Sequence, residues 1–480
     1  MQGEYRGDFT RDTFDPTKHF SRVLMQQGRV QVDADWNEQT SILLHYLRTL
    51  TTDLMGPHWG PKLFNGVAND SFRIEKRDDT TNDFSILPGR YYVDGILCEN
   101  DNEIAYREQG EFPLDDEELK TGVSLVYLDV WERHITAADD ALIRETALGG
   151  PDTASRAKVV WQVKVIPPAE FNDTWTGVSG GSDSAKQTAI ENFLNAQVGA
   201  KPRWITTGTL RAKAKTRDRA GEPCSISPES RYRGMENHLY RVEIHKSGKA
   251  WNKDTVNGKP AGNIGEAASF KWSSDNSSID FPILSLDDGR ATLTSLGRDN
   301  GSTLRINDWV EIIDDALVLR GSPAPLRRVE SIDALEMSIT LKNPEGLPDY
   351  NEEDSSKHPL LRRWDFRSED DEDRALPLTE ATGDEPSDWI ALEDGIQIQF
   401  PAAEASAEAR TYRSGDYWLI PARTATGDVE WKTRTETSGR KVPEALPPHG
   451  IDHHYAPLAV ITTVADGTVG VDFSCRKIIP

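Results

Sequence analysis

Residues 14–39 read FDPTKHFSRVLMQQGRVQVDADWNEQ, and the segment that contains them, residues 8–61, is the part around which the rest of the chain is organised. It contains no nucleophile paired with a base, no phosphate-binding loop and no metal-ligand spacing, so it predicts no reaction. Proline disfavours the helical conformation in the residue before it, so Asp15-Pro16 is expected to be extended or to begin a turn. The pattern indicates an attachment segment, here called the hook (residues 1–61).

A turn, a strand and a helix are predicted within the hook. Gly28 suits a backbone angle that other residues avoid, and residues 29–32 alternate between polar and apolar as a short strand does. Asp35 is expected to cap the following helix together with Glu38, and Gly56-Pro57 is expected to end it. Leucines recur at helical spacing on one face of this helix: Leu43, Leu47, Leu50 and Leu54. Such a face packs either in the protein's own core or against another helix.

Short apolar runs separated by turn signals predict a mainly β body after the hook. Residues 84–87, 90–93 and 96–99 are expected to form a three-stranded meander. Its turns would lie at Pro88-Gly89 and Asp94-Gly95, because Asp-Gly between apolar runs is a strong hairpin signal. The expected fold is therefore mainly β with an N-terminal helical docking segment.

The spacing of later strands divides the body further. Closely spaced strands in residues 283–342 predict a small inserted β-barrel. The predicted organisation is the hook (1–61), a main β domain with helical insertions that forms a meander or sandwich (62–282), the barrel (283–342), and acidic loops with C-terminal strands that complete the body (343–480).

Composition excludes several classes of protein. The 480 residues include 79 acidic and 55 basic side chains, a net charge of −24, without a basic cluster dense enough to follow phosphates, so nucleic acid is not an expected partner. Cys98, Cys224 and Cys475 are too scattered for a disulfide framework and indicate free thiols of a protein made in the cytoplasm. We expect no signal peptide and no membrane span, which needs roughly 20 apolar residues.

Clusters of histidine and acidic residues could in principle bind a metal, but their spacing favours structural roles. Prolines and a glycine oppose a helical zinc motif at the histidine-rich stretch, which comprises His449, Asp452, His453 and His454. Asp314-Asp315 and residues 370–373 lack the alternating oxygen ligands of a calcium loop. Glycan hydrolysis needs two placed carboxylates, and among 79 acids no pair stands out. The sequence therefore predicts no catalytic residue, metal or cofactor.

Four tryptophans are expected to lie in polar loops, because glycine or aspartate occurs near each of them: Trp59, Trp175, Trp251 and Trp389. A loop tryptophan can stack on a sugar or dock against another protein, since aromatic residues are enriched at binding hot spots. Large aromatic side chains also dominate cores. Contact with a ligand or partner is thus predicted for these four, with ordinary packing as the alternative.

Several stretches resemble a bacterial family of uncharacterised function that is encoded with phage-tail-like contractile injection systems. In the hook these are Phe14-Asp15-Pro16, residues 24–31 (LMQQGRVQ) and residues 35–39 (DWNEQ). The hook is also loosely similar to the N-terminal attachment domains of phage tail-fibre and baseplate proteins, but has Trp36-Asn37-Glu38 where those begin their helix with a Glu-Leu-Asn-type motif. Further stretches of resemblance to the injection-system family span nearly the whole chain: residues 125–133, 147–153, 160–164, 239–245, 415–423 and 453–458.

The resemblance implies a non-enzymatic structural component of a contractile injection system or phage-tail-like particle, in its baseplate, spike or fibre region. Its partners would be other baseplate or tail proteins, and self-association is a further expectation because such particles are symmetric. The particle could also carry the protein outside the cell. Besides the leucine face, the residues expected at the assembly interface are Asp15, Pro16, Gln27, Gly28, Arg29, Trp36, Asn37 and Glu38.

The alternative is a body that binds a surface glycan or receptor, with or without hydrolytic activity, and is merely carried on the particle. Its site would comprise the four loop tryptophans and the acidic loops.

Overall fold

The computed structural model describes the following residues: 5–64, 67–68, 70–78, 80–112, 118–148, 152–198, 206–215, 231–251, 255–256, 259–260, 265–297, 301–367, 375–403, 408–437 and 439–479. Cys224 and the acidic run 370–373 lie outside the described residues. Cys98 and Cys475 are both buried free thiols, as predicted.

The predicted fold class is confirmed, since the chain is mainly β with a helix near its N-terminus. The α-helices are α1 (Asp33–Met55), α2 (Pro168–Val178), α3 (Asp183–Val198) and α4 (Asp315–Arg320). Single 3-10 turns occupy Pro16–Lys18, Tyr106–Glu108, Ala141–Ile143, Thr146–Leu148, Glu352–Lys357 and Pro386–Asp388. None of the helices in the described chain has the length and apolar character needed to cross a membrane.

The first half of the body is built on a four-stranded antiparallel sheet, here called the long sheet. Its strands in spatial order are Arg156–Ile166, Gly122–Ile135, His454–Thr463 and Val469–Ser474. Strand Arg156–Ile166 pairs along its whole length with Gly122–Ile135, with Val160 opposite Trp131. Because the other two come from the end of the chain, the C-terminal residues complete a sheet that the first third of the chain begins.

Two smaller sheets pack on one face of the long sheet and form a sandwich with it. One contains Ile478–Ile479, His58–Pro61, Gly89–Val93 and Ile96–Asn100, and the other contains Ile74–Lys76, Phe84–Ile86 and Ile104–Ala105. Their shared core includes Phe84, Tyr91, Val126, Leu128 and Val163.

The hairpin predicted at Asp94-Gly95 is confirmed, and both turn residues have positive φ. The prediction of a single meander is wrong, because Phe84–Ile86 pairs with Ile74–Lys76 and not with the strand that follows it. Alternation of polar and apolar residues identifies a strand, but the partner of the strand is decided by the rest of the chain.

Helices α2 and α3 cover the opposite face of the long sheet. Phe171 of α2 and Ile190 and Leu194 of α3 are buried against Leu125 and Val460. The sheet is therefore apolar on both faces, in agreement with the nearly continuous apolar run in its second strand.

The second half of the body contains another sandwich. Its five-stranded sheet consists of Leu376–Pro377, Ser269–Ser273, His238–Lys246, Tyr417–Arg423 and Asp428–Val429. The facing sheet consists of Arg211–Ala214, Ile396–Pro401, Glu380–Ala381 and Ile390–Ala391. Small two-stranded ribbons are formed by Leu63–Phe64 with Val67–Ala68, Thr255–Val256 with Lys259–Pro260, and Thr433–Thr435 with Lys441–Pro443.

A closed six-stranded barrel is inserted between parts of this sandwich. Its strands in spatial order are Asp280–Asp287, Arg290–Leu293, Ser338–Leu341, Leu326–Asp333, Trp309–Ile313 and Leu360–Trp364. The last strand lies beyond the predicted range 283–342, because closure requires a strand that pairs with both Asp280–Asp287 and Trp309–Ile313. Helix α4 lies on the barrel and is capped by Asp314, whose carboxylate accepts from the Leu317 backbone N–H at 2.8 Å.

Candidate docking surface

The first described residues of the hook, 5–13, run into the body and are here called the tail. Arg6 is buried, and its Nη1 lies 2.7 Å from Oε2 of Glu243 and 3.0 Å from Oγ of Ser277. The carbonyl oxygens of Tyr5 and Gly7 both accept from the amide of Asn276, at 3.1 and 2.9 Å. The tail is thus fixed by the second half of the body before the chain turns outward.

Helix α1 begins at Asp33, three residues earlier than a cap at Asp35 would place it, and the predicted cap by Asp35 and Glu38 is wrong. Instead, Oδ2 of Asp33 accepts from the Thr10 backbone N–H at 2.9 Å, and Oε2 of Glu38 accepts from Oγ1 of Thr13 at 2.6 Å. These acidic side chains bind the tail, so they are not used to satisfy the helix's own backbone. The predicted end of the helix at Gly56 is confirmed.

The loop between tail and helix contains five of the twelve predicted interface residues, and α1 contains the other seven. Asp15 accepts from the Thr17 backbone N–H at 3.0 Å and caps the turn that begins at Pro16. The two hydrogen bonds from Thr17, one from its backbone and one from its hydroxyl, lower the pKa of Asp15. Gly28 has φ of +69°, which confirms the predicted turn. Gln27 and Arg29 are exposed on either side of it.

Residues 29–32 do not form the predicted strand. Val30 is 86% exposed and Val32 is also exposed, so the apolar positions of this run face no core in the described chain. A strand needs a neighbour for its backbone hydrogen bonds, and here the chain passes directly into α1.

One side of α1 is fastened to the body. Ile42 is 1% exposed, and Nη2 of Arg48 lies 2.9 Å from Oε1 of Glu132 on the long sheet. The helix also crosses the Asp94-Gly95 turn so closely that a Cβ on Gly95 would lie 2.7 Å from the Cα of Arg48. The position of α1 is therefore set by its own buried residues and not by its leucines.

The leucine face of α1 points away from the body. Leu43, Leu47, Leu50 and Leu54 are 53%, 60%, 58% and 71% exposed, and Trp36 is 60% exposed. Among the described residues, 12 of the 24 exposed large apolar side chains fall within residues 20–54. This concentration is unlike the scattered exposed leucines of an ordinary surface and is typical of a binding site. Of the two roles open to the leucine face, packing in the protein's own core is excluded.

The loop adds a basic apolar surface beside the leucine face. Phe20, Leu24 and Met25 are exposed. Residues 16–32 contain Lys18, Arg22 and Arg29 but no acidic residue. The loop lies along α1, because the Val23 backbone N–H donates to Oε1 of Gln39 at 2.8 Å. Together, the exposed leucine face with Trp36 and the loop 16–32 are called the docking surface below.

A cleft of about 1100 Å³ separates the inner side of α1 and the tail from the body. Asn37 lies on its wall, together with His45, His134, Arg156 and Asp280. Burial raises the pKa of Asp280 to about 6; Arg362 opposes this shift, while the nearby carboxylates of Asp139 and Asp152 add to it. The remaining lining combines serine and threonine hydroxyls and four aromatic rings with charged and small apolar residues, so the wall of the cleft is of mixed character.

A buried ionic network joins the tail, the five-stranded sheet and the barrel. Burial alone would raise the pKa of Glu243, but Arg6, Lys271 and Arg241 hold it well below its ordinary value. Lys271 also pairs with Glu311 of the barrel, whose other oxygen accepts from the Trp364 indole at 2.9 Å. The only signal of this network in the sequence is the alternation of Arg241 and Glu243 with apolar residues along one strand.

The predicted ligand tryptophans do not converge on one site. Trp59 lies in a strand and stacks on Tyr92 with ring centroids 4.3 Å apart. Trp175 lies in α2 and packs against the α2–α3 core. Trp389 is buried, with its indole N–H 3.1 Å from Oδ1 of Asp384 and Lys213 over its ring. Trp251 is half-buried, and its backbone N–H donates to the carbonyl of Leu378.

The histidines and acidic pairs have local structural partners. Nδ1 of His453 lies 2.6 Å from Oδ1 of the buried Asp129, and Nδ1 of His454 lies 2.8 Å from Oδ2 of Asp94. Asp315 pairs with Arg133 and with His358. Within the described residues, no group of three potential metal ligands is assembled.

Comparison with known proteins gives one family. A family model described as a family of unknown function, DUF6519, matches residues 5–187 and 175–479 of the chain. No curated protein matches the chain, and neither does any solved structure.

Proposed function

The chain belongs to DUF6519, a family of unknown function, and from this premise we propose that it is a non-enzymatic structural component of a contractile injection system or phage-tail-like particle. In this proposal the docking surface attaches the protein to other baseplate or tail proteins, and the β body is the part that the particle displays or builds upon. The resemblance of stretches along nearly the whole chain to the injection-system family supports a role in such a particle. The geometry of α1 supports attachment through the docking surface.

The observation that carries the proposal is the division of α1 into two sides. The inner side already contacts the body, through the buried Ile42 and through the ion pair between Arg48 and Glu132. The outer side leaves four leucines and Trp36 in water, which costs about 25 cal/mol for each Å² of apolar surface that a partner could cover. A helix held firmly on one side and apolar on the other is suited to docking without rearrangement.

The test compares two double variants of the full chain in cells that produce the particle. Leu47→Asp/Leu50→Asp places two charges within the docking surface. Leu142→Asp/Leu335→Asp places the same charges at leucines that are 93% and 95% exposed elsewhere in the chain, and serves as the matched control. The proposal expects the protein and the control to copurify with the particle and the docking variant to be lost from it.

Either of two results would overturn the proposal. One is a docking variant that stays on the particle at the wild-type level. The other is a wild-type protein that is absent from purified particles. Circular dichroism of each purified variant establishes that the body has folded.

The second candidate is a carried body that binds a glycan or receptor, and the cleft behind α1 favours it. Its wall carries hydroxyl groups that can hydrogen-bond to a sugar and aromatic rings whose apolar faces can pack against one. Here Arg156→Glu, in the cleft wall, would abolish retention on a cell-wall pull-down, while Leu47→Asp/Leu50→Asp would leave it unchanged. The docking proposal expects neither variant nor the wild-type protein to be retained.

A further inference from the structure

The docking surface has the geometry of one half of a helix pair. Along α1 the outward positions Leu43, Leu47, Leu50 and Leu54 are separated by four, three and four residues, and Trp36 precedes Leu43 by seven. This is the spacing at which two helices interdigitate their side chains. At 1.5 Å per residue, the stripe from residue 36 to residue 54 presents about 27 Å of helix.

The positions that border the stripe on α1 carry almost no charge. In heptad terms they are Asn37, Leu44 and Thr51 on one side and Gln39, Tyr46 and Asp53 on the other. Charge on the border next to Gln39 is supplied instead by the loop, which lies against that side of the helix through Val23.

The loop supplies only positive charge. Lys18, Arg22 and Arg29 are exposed, and no carboxylate among the described residues forms an ion pair with any of them. The chain as a whole has a net charge of −24, so a segment with three cations and no carboxylate differs in charge from the rest of the protein. Three cations beside an apolar stripe complement a partner helix that carries acidic residues along the matching edge.

A second copy of this chain fits the surface less well. The corresponding stripe of another α1 offers Asp53 as the single acid at its borders, so it cannot neutralise three cations. An identical loop would also bring like charges together if the two helices paired in parallel.

From the stripe and the loop together we infer that the docking surface binds an amphipathic helix of another protein, with an apolar 4-3-4 stripe bordered by acidic residues. This inference rests on the proposed function and adds the chemistry of the partner to it. The leucines bury the apolar stripe of the partner, and Lys18, Arg22 and Arg29 select for its acids.

The test measures binding of the full chain to two synthetic helical peptides by fluorescence anisotropy. Both peptides have about four heptads with leucine at the two core positions; one has glutamate and the other lysine at the border positions. We expect the glutamate peptide to bind at least about tenfold more tightly, with an advantage that shrinks as salt is added. Leu47→Asp/Leu50→Asp should abolish binding of both peptides.

Charge reversal isolates the role of the loop. Lys18→Glu/Arg22→Glu/Arg29→Glu should reverse the preference between the two peptides and release the protein from the particle. Lys120→Glu/Arg434→Glu/Lys441→Glu makes the same change in charge at exposed positions elsewhere, and should do neither.

Several outcomes would overturn the inference. Equal binding of the two peptides would show that the surface does not select for acidic residues. Failure of both peptides to bind would show that the partner is not a helix with this apolar stripe. Reversible self-association in sedimentation velocity that Leu47→Asp/Leu50→Asp abolishes would assign the surface to a second copy. Cosedimentation with phosphatidylglycerol vesicles that the same variant abolishes would assign it to lipid. If Leu47→Asp/Leu50→Asp is lost from the particle while the protein binds both peptides equally, this inference fails and the proposed function stands.

Discussion

The guanidinium of Arg6 lies 2.7 Å from the carboxylate of Glu243, and both side chains are buried. The pair joins the first described residues to the central strand of a sheet in the second half of the body. Arg241 and Lys271 lie on the same carboxylate, at 2.7 and 3.3 Å. The tail that precedes α1 is therefore fastened to a part of the chain that is remote in sequence.

The network predicts unequal costs for the loss of its members. Glu243→Gln leaves three buried cations facing Glu311 alone, and should lower the free energy of unfolding by about 3–5 kcal/mol. Arg6→Gln leaves Glu243 with two cations and should cost only about 1–3 kcal/mol. Urea denaturation of both variants measures the difference. If Arg6→Gln proves the more costly, the carboxylate is not the centre of the network.

Substitutions on the two sides of α1 should differ in their effect on the free energy of unfolding. Ile42→Ala removes a side chain that is 1% exposed and should cost about 2–5 kcal/mol. Leu47→Asp/Leu50→Asp should change the free energy of unfolding by less than about 0.5 kcal/mol per site, because both leucines are largely exposed. Chemical denaturation measures the two, and a large loss in the leucine variant would mean that this face packs within the protein.

Gly95 should control how tightly α1 lies on the body. Gly95→Ala introduces a Cβ 2.7 Å from the Cα of Arg48 at a residue with φ of +76°, so that the helix or the turn must move. We expect faster amide hydrogen exchange in residues 42–55, while protection of the barrel is unchanged. Gly28→Ala also has positive φ but an open surrounding, and serves as the control that should leave α1 protection unaltered.

Asp280 should make stability depend on pH in a defined window. Its pKa is raised to about 6 by burial, against an ordinary value of 3.8, so the folded protein holds this proton more tightly than the unfolded chain does. The contribution is present below about pH 4 and is lost as the pH rises through 6.

Asp280→Asn mimics the protonated acid and tests this directly. The variant should be more stable than the wild-type protein at pH 7–8, by about 1–3 kcal/mol, and should match it near pH 4. Thermal denaturation at each pH gives the comparison. A difference that is the same at both pH values would show that the proton on Asp280 is not responsible.

Several local features followed directly from the residues. The left-handed turn at Gly28, the end of α1 at Gly56 and the hairpin at Asp94-Gly95 all depend on the conformational preferences of one or two residues. The barrel was recognisable because its strands are short, close together and separated by turn residues, although its closing strand Leu360–Trp364 was not.

Other features could not be predicted from local sequence, because they depend on which elements pack against each other in the folded protein. Polar and apolar residues alternate along His238–Lys246, a pattern that indicates one buried face. Arg241 and Glu243 on the other face are buried as well, since the tail and the barrel cover them. Residues 29–32 alternate in the same manner and form no strand, because no neighbour in the described part of the chain pairs with them.

The sequence by itself determined that the hook has a turn, a helix and a leucine stripe, because these follow from local backbone preference and helical periodicity. Only the tertiary structure decided that the stripe faces water. That outcome depends on Ile42, Arg48 and Gly95 fixing the opposite side of α1 to the body, and contacts between residues so far apart in the chain leave no periodic signal in either segment.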